Sequence, residues 1–184
     1  MARALLIAAV ASGQGKTSFT CALAHRLRRQ GRRVRAFKVG PDFIDPCHLA
    51  AVTGAPVHNL DLWMVGEARC AQWLADAARQ ADWLLIEGAM GLFDGIDARG
   101  TGSCADLAAA TGGPVVLVVD ASGQAASVGA LVAGFAAYRP DVDIAGIIFN
   151  RVGGARHAEL LAEAVRLAAP HVRRLGALPR DACL

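Results

Sequence analysis

The run Ile7-Ala8-Ala9-Val10-Ala11-Ser12-Gly13-Gln14-Gly15-Lys16-Thr17 decides the fold. An apolar strand passes into a glycine-containing turn and then into a helix that opens with Lys-Thr, which is the layout of a phosphate-binding loop. Gly13 and Gly15 let backbone N–H groups approach phosphate oxygens with no Cβ in the way, Lys16 places a cation near the β- and γ-phosphates, and the Thr17 hydroxyl is a metal ligand. A bound nucleoside triphosphate with Mg²⁺ is therefore expected. The pattern G-x-x-x-x-G-K-[ST] would put glycine at position 10, where this sequence has Val10, so the loop is a variant form.

Downstream of the loop, Phe19, Leu23 and Leu27 recur at helical spacing and predict the buried face of a helix over 16–30. Arg26, Arg28 and Arg29 fall where the helix dipole favours cations, and Gly31 ends the helix. The cluster Arg28, Arg29, Arg32, Arg33 is accordingly read as a solvated cap and not as a nucleic-acid patch.

The remaining chain alternates in the same way. Apolar runs at 34–39, 83–86, 115–119, 144–149 and 172–178 read as buried parallel strands, with helices expected at 67–80, 105–112, 125–138 and 156–169. Pro114, Pro140 and Pro170 each separate a helix from the next strand. The fold class is therefore α/β: a doubly wound, mostly parallel sheet whose ligands sit beyond the carboxyl ends of the strands. A chain of 184 residues with 54% hydrophobic composition fits one well-buried domain.

Composition narrows the function classes. The net charge of +3 and the lack of a long block of like charge argue against a nucleic-acid partner. No apolar run is long enough to span a bilayer, and the N-terminus runs straight into a core strand, so a cytoplasmic protein is expected. The five cysteines, at 21, 47, 70, 104 and 183, have no C-x-x-C or metal-ligand spacing and read as buried or half-buried structural thiols. Cys47 and His48 are adjacent, so on a helix they point apart and cannot easily serve as nucleophile and base.

The segments after the strands carry the chemistry. In Lys38-Val39-Gly40-Pro41-Asp42-Phe43-Ile44-Asp45-Pro46 two carboxylates lie three apart. On a turn of helix they would face one side and hold hydrated Mg²⁺ or shape a pocket; an Asp-Pro turn with solvated aspartates is the competing reading. In Glu87-Gly88-Ala89-Met90-Gly91-Leu92-Phe93-Asp94-Gly95, Glu87 ends an apolar strand, the usual place of the acidic partner of a phosphate loop. Asp94 is either a site residue or part of a surface loop. Asn150 offers a donor and an acceptor suited to an adenine edge, although one such residue decides little. Asp120 is either a site residue or a turn former, and Ser103 with Asp106 reads as a helix cap.

Taken together, these stretches resemble the N-terminal synthetase domain of the cobyrinic or hydrogenobyrinic acid a,c-diamide synthases, a P-loop NTPase-like fold related to dethiobiotin synthetase. The resemblance rests on residues 11–17, 38–46, 87–95, 105–108 (Ala-Asp-Leu-Ala) and 150–153 (Asn-Arg-Val-Gly), and so runs across nearly the whole chain. It implies ATP-dependent amidation of the a and c acetates of a corrin through a phosphorylated carboxylate, in cobalamin biosynthesis. By the same resemblance, Ser12, Gly13, Gln14, Gly15, Lys16 and Thr17 bind the phosphates, and Thr17, Asp45 and Glu87 form the Mg²⁺ shell. Asp42 and Asp94 position or activate the acceptor carboxylate or ammonia, Lys38 and Lys16 steady the transferring phosphoryl group, and Asn150 reads adenine.

Members of that family continue into a glutaminase domain with a cysteine nucleophile, and none of the five cysteines here has that setting. Residues 1–184 are thus expected to be the synthetase portion, with a glutaminase domain as ammonia source elsewhere and a homodimer left open. Two rivals stand beside this expectation. A single-domain dethiobiotin-synthetase-like enzyme fits the length but lacks the segments at 38–46 and 87–95. A partition-type ATPase switch would carry a lysine early in the loop, which this sequence does not.

Overall fold

The computed structural model describes residues 2–181. Its elements run β1 (Arg3–Ala9), α1 (Lys16–Arg29), β2 (Val34–Val39), α2 (Asp45–Thr53), β3 (His58–Leu60), α3 (Glu67–Ala78), β4 (Trp83–Glu87), α4 (Cys104–Thr111), β5 (Val115–Asp120), α5 (Ser127–Tyr138), β6 (Ile144–Val152), α6 (Ala155–Ala168) and β7 (Arg173–Pro179). The strands form one sheet in the order β3-β2-β4-β1-β5-β6-β7, and every pairing is parallel. Successive strands lie to one side of β1 as far as β4 and then cross to its other side with β5. The carboxyl end of β1 is therefore the switch point where this architecture opens a crevice, and the phosphate loop leaves the sheet there.

The near-continuous apolar runs follow from burial on both faces, except in β7, which was expected as a buried strand but is a largely exposed edge strand with Leu175 and Leu178 open to solvent. In β1, Leu6 and Ala8 join the core under α3, α4, α5 and α6, while Ile7 and Ala9 face the smaller core under α1 and α2. β5 repeats the alternation, with Val115, Leu117 and Val119 on one side and Val116 and Val118 on the other. Each fully buried Val, Leu or Ile contributes about 1.5–3 kcal/mol relative to exposure.

Three further expectations need correction. The face of α1 that touches the sheet is Lys16, Thr20, Ala24 and Leu27, while Phe19 and Leu23 are only half-buried. Thr20 and Ala24 at the middle of that face are small, and the larger Phe19 and Leu23 pack against the same core from its flank. The second is that the turn around Asp45 is the start of a full helix, α2, followed by the edge strand β3. The third is Cys47, which lies exposed on α2, whereas Cys70 and Cys104 are buried and Cys21 half-buried as expected. Cys183 lies outside the described residues.

Candidate functional site

The loop between β1 and α1 turns through Gly13 (φ +75°) and Gly15 (φ +92°). Val10 needs no positive φ, which explains why a glycine can be absent there. At Gly15 the requirement is twofold, because a Cβ would also stand 2.2 Å from Asn150 Nδ2. Beyond the loop, Lys16 is buried and its Nζ donates to the carbonyls of Met90 (2.6 Å) and Ala11 (3.3 Å). Burial lowers the Lys16 pKa, so a bound anion would restore what desolvation removes from its charge.

Beneath the loop is a charged cluster. Thr17 Oγ1 donates to Glu87 Oε1 at 2.7 Å. Lys38 Nζ, 2% exposed, donates to Asp45 Oδ2 (2.6 Å), Glu87 Oε1 (3.0 Å) and the Gly88 carbonyl (3.2 Å), with Asp42 Oδ2 at 3.5 Å. Burial opposes the Lys38 charge, but the Glu87 and Asp45 carboxylates outweigh it and hold the pKa above its ordinary value. Glu87 is fully buried, which pushes its pKa up, and Lys38 and Thr17 only partly counter this. Its Oε2 is buried without a hydrogen-bond partner. An orphaned carboxylate oxygen beside a hydroxyl suits a hard cation that takes oxygen ligands.

Asp42 and Asp45 do converge, but through Lys38 and through the start of α2. Asp42 Oδ1 accepts from the backbone N–H groups of Ile44 (2.8 Å) and Asp45 (3.1 Å), and Pro46 fills the first turn. Burial would raise the Asp42 pKa, yet these two N–H groups and Lys38 hold it below the ordinary value.

A hollow of about 440 Å³ gathers Ser12, Gly13, Gly15, Lys16, Thr17, Lys38, Asp42 and Asp45, with Met90 and Arg151 completing its wall. Four expected site residues lie away from its lining: the fully buried Glu87, which meets the lining residues Thr17 and Lys38 from behind, and Gln14, Asn150 and Asp94. The Gln14 side chain turns back to accept from the Asp120 N–H (2.7 Å). Asn150 donates to the Gln14 carbonyl (2.9 Å) and accepts from the Arg151 N–H, and it lines a neighbouring hollow of about 370 Å³ with Phe19, Leu23 and Pro179. Asp94 accepts from the Gly91 N–H (2.8 Å) and faces a third, apolar hollow. Among the described residues, no three His, Cys, Asp or Glu side chains group to hold a metal by themselves. A hard cation beside Thr17 would combine its hydroxyl with a carboxylate and with ligand or water oxygens.

The residue that sequence reasoning left without a role is Arg151. It pairs with Asp120, donates to the Gly13 carbonyl (3.2 Å) and borders both the phosphate-side hollow and the one beside Asn150. Its φ of +56° and that of Met90 (+48°) are the two non-glycine positive values among the described residues, and both residues line the hollow around Lys16. Position next to Asn150 at a strand end was the available signal; the backbone conformation has none in the sequence. Ser103 caps α4 as expected, accepting from the Asp106 N–H.

A parallel sheet with a glycine loop at its switch point, and Lys16, Thr17 and Glu87 gathered there, defines a P-loop nucleotide-binding protein. More narrowly, the chain belongs to the CobQ/CobB/MinD/ParA nucleotide binding domain family, whose profile matches residues 5–184. It is 53% identical over 97% of its length to a hydrogenobyrinate a,c-diamide synthase of Pseudomonas aeruginosa, and 50% identical over 98% to a cobyrinate a,c-diamide synthase of Herminiimonas arsenicoxydans. It spans 39% of each of those two relatives. Among solved structures, the signal recognition particle 54 kDa protein of Aeropyrum pernix, in complex with GDP, aligns with a TM-score of 0.68 at 21% identity, covering 98% of this chain and 42% of that one. The hydrogenase maturation factor HypB of Archaeoglobus fulgidus aligns at 0.61 and 16%, covering 96% and 81%. These two likenesses bear on the fold alone.

Proposed function

We propose that this chain is the ATP-dependent, carboxylate-activating portion of a corrin a,c-diamide synthase, acting on hydrogenobyrinate or cobyrinate. The observation that carries the reading is the single hollow joining the phosphate loop to Lys38, Asp42 and Asp45, in a chain about half identical to synthases of those names. Ammonia and a carboxylate only form an ion pair, so the carboxylate needs a leaving group. A carboxylate oxygen attacks the γ-phosphorus of ATP and ADP departs. Ammonia then attacks the carbonyl carbon of the acyl phosphate, phosphate leaves, and the nitrogen sheds a proton.

In this reading the loop N–H groups and Lys16 hold the phosphates, and the base lies in the hollow beside Asn150. Asn150 keeps one N–H and one oxygen lone pair beyond its two loop contacts, enough to read adenine. Thr17, Glu87 and Asp45 would hold Mg²⁺, supported by the orphaned Glu87 Oε2. The ion would neutralise charge on the phosphate oxygens. Lys38 keeps the three carboxylates together and stands ready to offset charge at the phosphoryl group, and Asp42 and Asp94 position the acceptor or ammonia. A glutaminase domain would supply ammonia in the full protein, and the reaction would take place in the cytoplasm.

The test supplies the purified chain with hydrogenobyrinate, ATP, Mg²⁺ and free ammonia, or with glutamine in place of ammonia. Amide and ADP formed with ammonia and not with glutamine support the reading. Glutamine-dependent amidation by this chain alone would overturn the division of labour.

A further inference from the structure

We propose that the hollow between the β4–α4 loop and α5 is the seat for the apolar, alkyl-substituted edge of the acceptor. This rests on the amide-synthase reading above. The hollow has a volume of about 470 Å³, and its lining includes Phe93, Leu131, Phe135 and Tyr138. The three aromatic rings form a cluster, with Phe93 centred 5.1 Å from Phe135 and 4.7 Å from Tyr138. Tyr138 is 61% exposed, an arrangement that leaves apolar surface open to a ligand.

Two features tie this hollow to the nucleotide site. Val10, the last residue before the phosphate loop turns, lines it. The other wall is the β4–α4 loop, whose Met90 carbonyl accepts from Lys16 and whose Leu92 N–H donates to the Ala9 carbonyl at 2.8 Å. Asp94 is the one charged residue lining the hollow, and Gly91 N–H holds one of its oxygens. An acceptor seated here would bring its edge to Asp94, while the carboxylate to be activated reaches toward the cations Lys16 and Lys38. The two hollows divide by chemistry: charged side chains of both signs, Lys16, Lys38, Arg151, Asp42 and Asp45, line the phosphate-side hollow, and apart from Asp94 this one is lined by aromatic and aliphatic side chains and Gly134. A macrocycle bearing methyl groups and acetates on its rim presents both surfaces at once.

Gly134 on α5 makes the test clean. It lines the hollow, and a Cβ placed on it meets no atom within 4 Å, so a side chain can be added without a clash. Gly134→Leu should fill the space and improve helix propensity. Hydrogenobyrinate binding would be followed by titration of its visible absorbance in the presence of a non-hydrolysable ATP analogue, with the analogue's own affinity and the melting temperature measured in parallel. The expected result is hydrogenobyrinate binding at least tenfold weaker in Gly134→Leu and severalfold weaker in Tyr138→Ser, with nucleotide affinity within twofold of the parent and no drop in melting temperature for Gly134→Leu. If the parent binds hydrogenobyrinate and Gly134→Leu binds it equally well, the seat is elsewhere and the amidation reading stands. If the parent binds the nucleotide but no hydrogenobyrinate, the amidation reading fails and the seat falls with it.

Discussion

Thr17 Oγ1 and Glu87 Oε1, 70 residues apart in sequence, meet at 2.7 Å and join the first turn of α1 to the last residue of β4. The contact leaves Glu87 Oε2 buried without a partner, so the pair holds a ready acceptor beside the loop. Replacing Glu87 by Gln keeps the shape and removes the charge. The expected outcome is a loss of Mg²⁺-dependent nucleotide affinity by roughly 10–100-fold, with a much smaller change in melting temperature. Calorimetry with and without Mg²⁺ measures the first and thermal unfolding the second; a variant that melts far below the parent with its Mg²⁺ response intact would mark Glu87 as structural.

Lys38 gives a second prediction, because its ammonium stands among Asp42, Asp45 and Glu87 and is ion-paired to all three. Lys38→Met leaves three carboxylates facing one another, one of them fully buried. Stability should fall by up to about 3–5 kcal/mol, the range for breaking a buried ion pair from one side. Added Mg²⁺ should raise the melting temperature of this variant more than that of the parent, since a divalent cation can replace the missing charge. Equal responses to Mg²⁺ would mean that the carboxylates do not form one cation-binding group.

These two predictions also mark what the sequence could and could not reveal. The loop and the strand alternation were legible because each is a local pattern with a physical requirement behind every residue. Glu87 at a strand end was legible for the same reason. The helix α2 was not, although Asp42 accepts from the N–H groups of Ile44 and Asp45 where it begins, Pro46 lies in its first turn and Gly54 ends it, because Asp-Pro reads equally well as a turn. β3 has three residues, too few for any periodicity. The role of Lys38 as the hub of three carboxylates depends on β2 lying beside β4, a pairing that crosses 49 residues and leaves no trace in either segment alone.

Asn150 and Gly15 make a third test. Asn150→Ala removes both the contact to the Gln14 carbonyl and the group proposed to read adenine. Binding of ATP and GTP should both weaken, and the parent's preference for ATP should disappear. Gly15→Ala combines a φ of +92° with a Cβ 2.2 Å from Asn150 Nδ2, so nucleotide binding should fall further and stability by about 1–2 kcal/mol from backbone strain alone. Calorimetry with the two nucleotides separates these effects. An unchanged ATP-to-GTP ratio in Asn150→Ala would confine that residue to bracing the loop.

Cys104 gives a prediction about pH. Its thiol is buried 2.9 Å from where a Cβ on Gly88 would stand, donates to the Ala89 carbonyl at 3.2 Å, and has its pKa pushed up to about 11 by burial. An unfolded thiol ionises near its ordinary value of about 8.5. Below that pH both states are protonated and the contribution to stability is complete. As pH rises toward 11 the unfolded chain releases the proton while the folded chain keeps it, so stability is progressively lost, by up to about 3 kcal/mol. Denaturant unfolding of the parent and of Cys104→Ala at pH 8 and at pH 10.5 reads this directly. Cys104→Ala should be less stable than the parent at pH 8, from the void it leaves, and the gap should narrow at pH 10.5 because only the parent carries the thiol. A gap of the same size at both pH values would show that Cys104 does not titrate between them on unfolding. In the same samples iodoacetamide should modify the exposed Cys47 at once, and Cys104 only when the domain unfolds.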